Sequence, residues 1–220
     1  MVTKQNKISR KIIDKLRLKK EKVLSKKEII EVIKEHQKIY QKKLNFVSLW
    51  TYLRKDNYIK RIIGDYYYIF SLDERYNSYC QFSEEELIFL VLEKMKIRWY
   101  LGLENALKEN KINWQVFNIT TIINEKFSGL KKLGNSQFRF IKTKKEKFNF
   151  GLIKKRTGNN VRYFYSDMEK TYLDFLYFYS YEGKDIKIVE ENLDFKVKKN
   201  KLRQYAKDYS KKIQRFTDGI

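Results

Sequence analysis

The 220-residue chain carries 49 Lys+Arg against 27 Asp+Glu, a formal net charge of +22, with 42% hydrophobic and 16% aromatic residues. That apolar content excludes a disordered tail, and the charge favours a polyanionic partner, although Lys enrichment also accompanies biased composition and thermophily. A single cysteine, Cys80, excludes an internal disulfide, and one histidine beside it, His36, excludes a zinc site of the usual kind.

The length allows one large domain or two small ones. No apolar run reaches the roughly 18 residues of a membrane span, and the first twenty residues lack the apolar core of a secretory signal. The expectation is a cytoplasmic chain without a membrane partner. The fold class expected is α+β, an N-terminal winged helix-turn-helix followed by a mixed α/β domain.

Ile8, Ile12, Ile13 and Leu16 predict a first helix with a basic outer face. Ser25-Lys26-Lys27-Glu28 has the form of a capping box and opens a second helix on Ile29, Ile30 and Ile33, with His36 in a structural role near its end. A basic turn, Tyr40 to Leu44, leads to the stretch NFVSLWTYLRKDNYIKRIIGDYYYIF at 45–70. Asn45 is suited to cap a helix whose inner face is Phe46, Leu49, Trp50 and Leu53. The other face carries Val47, Ser48, Thr51, Tyr52, Arg54 and Lys55, polar and basic, suited to phosphates and base edges. Tyr58 to Ile63, a turn at Gly64-Asp65 and Tyr66 to Phe70 predict a hairpin. A basic helix leading into a basic hairpin is the pattern of a winged helix-turn-helix, and an ordinary amphipathic helix and hairpin packed in a core would share it. The expected contacts to double-stranded DNA are Ser48, Thr51, Tyr52 and Lys55 on the helix, with Arg54 on phosphate. Lys60 and Arg61 on the hairpin and Lys42 and Lys43 beside the helix complete the set. Residues 1–71 hold 19 basic and 7 acidic residues, net +12, against 30 and 20, net +10, in the remainder, which places the DNA-binding part first.

The domain organisation expected is 1–72 for the winged helix, 73–82 for a linker and 83–220 for the second domain. Ser83 to Glu86 predicts a capped helix, and Gly102 to Asn110 another. Gln115 to Ile123, parts of Gln137 to Phe150, and Val161 to Tyr165 predict strands. Ser166-Asp167-Met168-Glu169 reads as a third capping box, opening a helix with Asp174 partly exposed. Helical segments are predicted at Ile186 to Leu193 and Lys198 to Arg215.

Four stretches resemble the AbiEi antitoxin family of abortive-infection systems. WYLGLENALKEN at 99–110 is similar to its Y-x-G-L-x-S-A-L segment, with Asn105 in place of Ser. Phe150-Gly151 is similar to a Phe-Gly within its strands. SDMEKTYLDFLYF at 166–178 resembles its D-x-E-R/K-T-hydrophobic-hydrophobic-D motif at Asp167, Glu169, Lys170, Thr171 and Asp174, with Met168 where the family has proline. NLDFKVKKNKLRQYAKDYSKKIQRF at 192–216 is similar to its closing segment. The resemblance implies a type IV antitoxin and transcriptional regulator. The first domain would bind operator DNA and repress its own operon. The second would counter a nucleotidyltransferase-like toxin without a stable complex. The Asp167–Asp174 motif would then serve toxin neutralisation or only the helix itself, since Glu169 fits a cap and Lys170 and Asp174 stand one turn apart.

No cofactor, metal or catalytic residue is expected. Asp185-Ile186-Lys187 has the D-x-K form of some nuclease sites, too short a match to carry catalysis, and there is no Gly-rich phosphate loop or G-x-S-x-G. The alternative is a stand-alone winged-helix regulator with a ligand-sensing or dimerising second domain.

Overall fold

The computed structural model describes residues 4–39, 45–112, 118–186, 189 and 196–219. The chain is mixed α+β with two sheets and divides into two compact units, Met1–Met95 and Lys96–Ile220.

In the first unit, α1 (Lys4–Leu18), α2 (Lys26–Ile39) and α3 (Phe46–Lys55) accompany a three-stranded antiparallel sheet. Its strands are β1 (Val23–Ser25), β2 (Ile59–Arg61) and β3 (Tyr66–Ile69), in the order β1-β3-β2. Apolar faces at helical spacing meet in one core, including Ile12, Leu16, Ile29, Ile33, Leu49, Leu53, Ile59 and Tyr67. The expected capping box forms: Ser25 N–H donates to Glu28 Oε2 (2.8 Å), and Glu28 N–H to Ser25 Oγ (3.2 Å). The hairpin turns at Gly64, whose φ of +56° is the left-handed region that glycine enters without strain. Lys26 N–H donates to the Asp65 carbonyl (2.7 Å), tying that turn to the start of α2.

The stretch expected to be a linker is folded. Ser71 and Glu74 make a further capping box that opens α4 (Leu72–Tyr76). Glu74 is buried and accepts from the Tyr68 hydroxyl and from Gln81 N–H (2.9 Å), which fastens 71–82 onto β3. The helix expected to begin the second domain, α5 (Glu84–Lys94), lies within the first unit, so the division falls at 95/96 rather than at 73–82. It is capped by Ser83 and Glu86 and pairs Lys94 with Glu28 (2.6 Å).

The second unit is built on a six-stranded mixed sheet of β4 (Trp99–Leu101), β5 (Ile119–Asn124), β6 (Gly129–Leu133), β7 (Ser136–Lys142), β8 (Leu152–Arg156) and β9 (Arg162–Ser166), in the order β6-β7-β5-β4-β9-β8. Among the described residues its α-helices include α6 (Glu104–Glu109), α7 (Met168–Tyr181), α8 (Lys199–Ala206) and α9 (Lys211–Asp218). Of the strand expected over Gln115 to Ile123, residues 115–117 lie outside the described residues, and Thr120 to Asn124 are buried in succession. An inner strand covered on both faces has no wet side to alternate with. The expected helix from Lys198 to Arg215 is two, separated at 207–210. The segment Ile186 to Leu193 lies largely outside the described residues.

Candidate functional site

Helix α3 starts where Asn45 Oδ1 accepts from Ser48 N–H (3.1 Å). Leu49 and Leu53 are buried, and Trp50 stacks on Phe46 and meets the edge of Tyr67. Those contacts fix which side faces inward. At about 100° per residue, Val47, Ser48, Thr51, Arg54 and Lys55 then fall within an arc of about 120° on the far side. All five are exposed, Val47 at 71%. Tyr52 lies about 40° beyond that arc. It is half-buried, and its hydroxyl is 3.2 Å from that of Tyr58. Burial, and then the hydrogen bond to Tyr58, raise its pKa to about 12. Tyr52 thus belongs to the packing beneath the helix rather than to its exposed row.

On the hairpin, Arg61 is exposed, and its Nε–H donates to the Gly64 carbonyl (2.7 Å), steadying the tip, while Lys60 is half-buried. Lys42 and Lys43, and Lys187 of the D-x-K match, lie outside the described residues. His36 is buried, and burial, with Lys15 and Lys11 adding to it, depresses its pKa. Among the described residues, no group of three or more His, Cys, Asp or Glu is placed to hold a metal ion. No described helix is long and apolar enough to cross a membrane.

The Asp167–Asp174 motif lies inside the second unit. Asp167, Glu169, Lys170, Thr171 and Asp174 are all buried, Lys170 at 0% and Asp174 at 1%, so the partial exposure expected for Asp174 is absent. The cap of α7 is Asp167 rather than Ser166: its Oδ1 accepts from Lys170 N–H (2.9 Å). Ser166 and Thr171 exchange a hydroxyl hydrogen bond (2.7 Å). Glu169 does not close a capping box. It accepts from Lys198 N–H (3.0 Å) and pairs with Lys201 (2.8 Å), which also reaches Asp167 (2.8 Å). Burial opposes the charge on Lys201, but its hydrogen bonds to the two carboxylates overcome that and raise its pKa.

Asp174 is the hub. It accepts from Tyr100 Oη (2.8 Å) and Tyr209 Oη (2.6 Å) and faces Lys170 Nζ (3.6 Å). Burial, then Asp174, raise both tyrosines well above their ordinary pKa. Lys147, also buried, donates to the Asp208 carbonyl (2.7 Å) and sits over the Tyr209 ring. Burial pushes its pKa down to about 7. At Gly151 φ is +63°, and a Cβ there would come within 2.7 Å of Lys170 Cβ, so the Phe-Gly pair allows the chain to pass against α7. Asn105 accepts from Thr121 N–H (2.6 Å) and joins α6 to β5. The motif therefore joins strand, helix and C-terminal helices, and its five side chains lie in the interior rather than on a surface. Sequence reasoning missed Tyr100, Lys147, Lys201 and Tyr209, whose polar ends signal nothing until the strands are assembled. No protein-family model and no curated protein matches this chain.

Proposed function

We propose that the chain is a DNA-binding transcriptional regulator acting as a type IV antitoxin, with the first unit as a winged helix-turn-helix. The observation that carries the DNA limb is the exposed row Ser48, Thr51, Arg54 and Lys55 on α3. It stands beside a hairpin bearing Arg61, in the order α1-β1-α2-α3-β2-β3 with the sheet ordered β1-β3-β2. Hydroxyls with an adjacent Arg and Lys suit base edges and phosphates of a major groove. The second unit counters a nucleotidyltransferase-like toxin, a reading supported by its resemblance to the AbiEi family. Since the motif is interior, the contacts that achieve this come from other residues of that unit. A reporter driven by the chain's own upstream region tests the regulator. Repression relieved by Arg54→Ala with Lys55→Ala supports it, and unchanged repression removes α3 from the role. Co-expression with a neighbouring toxin gene, scored for rescue of growth, tests the antitoxin limb.

A further inference from the structure

The first unit holds a recess that the DNA reading leaves unused. A cavity of about 310 Å³ is lined by Arg10, Asp14 and Arg17 of α1, Tyr58 before β2, and Leu72 and Arg75 of α4. Three arginines face one aspartate there. The Arg75 guanidinium lies 3.8 Å from the centroid of the Tyr58 ring, and that of Arg17 lies 5.6 Å from it. Arg17 Nε–H donates to the Phe70 carbonyl (3.1 Å), and its Nη1 is 3.8 Å from Asp14. Its Nη2 is buried with no hydrogen-bond partner. A buried guanidinium donor left unpaired is costly and is seldom tolerated without a partner for it. Burial lowers the Arg17 pKa, Asp14 opposes this, and the like charge of Arg75 adds to it. The site thus gains from added negative charge.

We propose that this recess binds a small organic oxyanion, a phosphate monoester or an equivalent carboxylate. Its charged end is held by the Arg75 fork with Arg17 Nη1 beside it and Arg10 at the rim, and its apolar body lies against Leu72 and the part of Tyr58 that lines the recess. Guanidinium forks match the spacing of phosphate and carboxylate oxygens.

The recess is connected to α3. Arg75 Nε–H donates to the carbonyl of Asp56, the residue that ends α3 (2.8 Å), and Tyr58 meets Tyr52 of α3 through the hydroxyl pair. An anion that draws Arg75 toward itself therefore acts on the last turn of α3. That this alters DNA binding rests on the proposed role of α3, whereas the binding itself does not.

The full chain is titrated with inorganic phosphate and with phenyl phosphate at constant ionic strength made up with chloride, without DNA. Nitrogen–proton spectra read the arginine Nε–H groups. Saturable shifts of Arg17 and Arg75 are expected, with the backbone amides of Arg54 to Asp56 moving alongside and phenyl phosphate binding more tightly. Arg10→Gln, a surface change that leaves the amide pattern intact, and Arg75→Gln should each weaken binding by roughly tenfold. The proposal is overturned if no saturable shift occurs, or if both variants titrate as the parent does. It is also overturned if a random-sequence duplex moves these groups while free phosphate does not, because they then serve the DNA backbone.

Discussion

Replacing Asp174 by Asn should unlock the second unit. Asp174 accepts two tyrosine hydroxyls, at 2.8 and 2.6 Å, and is the counter-charge to Lys170, itself 0% exposed. The amide retains one acceptor oxygen, so one tyrosine is left without its partner and the lysine without its compensation. Removing one member of a buried pair costs about 3–5 kcal/mol, largely because the remaining charge stays buried. Lys170→Met added to Asp174→Asn removes that stranded charge, so the double variant should be more stable than Asp174→Asn alone. Urea unfolding in a Trp50→Phe background is read by tryptophan fluorescence, with Trp99 buried on β4 of the second unit. A destabilisation below about 1 kcal/mol for Asp174→Asn, or a double variant costing the full sum of the singles, would refute the hub described here.

Two further outcomes follow from the same interior. Gly151→Ala must place a side chain at φ +63° against Lys170, whereas Gly64→Ala meets only the unfavourable φ of +56° in open space. The first is expected to cost about 2–4 kcal/mol and the second about 1–2, read from urea midpoints of the two variants. Lys147 has a folded pKa of about 7, below its ordinary value, so between those limits the unfolded chain binds the proton that the folded chain releases. Stability should therefore rise with pH from about 7 toward about 10, by up to about 1.4 kcal/mol per unit, and diminish as pH falls through that window. Burial depresses Lys170 as well and adds in the same direction. Urea midpoints between about pH 7 and 9 should climb for the parent and climb less steeply for Lys147→Met.

The helices of the first unit were legible because their signals are local. Ser25 with Glu28, Ser83 with Glu86, and Asn45 ahead of an apolar stripe each declare a start within four residues. The same logic at Ser71 and Glu74 was present but hidden in a stretch too polar to suggest a helix. Three-residue strands such as Val23–Ser25 and Trp99–Leu101 carry too little periodicity to be read alone, and their sheet partners lie far along the chain. The motif at 167–174 misled through its composition. Charges four apart on a helix usually mark a wet face, and only Tyr100 and Tyr209, 74 and 35 residues away from Asp174, show this one to be dry. The exposed row on α3 was legible from helical spacing, except Tyr52, whose partner Tyr58 draws it beneath the helix.

Duplex binding by the full chain across a salt series measures the proposed role of α3 most directly. The logarithm of affinity should fall linearly with the logarithm of salt. Arg54→Ala with Lys55→Ala should lower affinity by about 1–3 kcal/mol for each base edge no longer bound and reduce the slope by about 1 to 2. Affinity and slope identical to those of the parent would mean that the exposed basic row of α3 does not touch DNA.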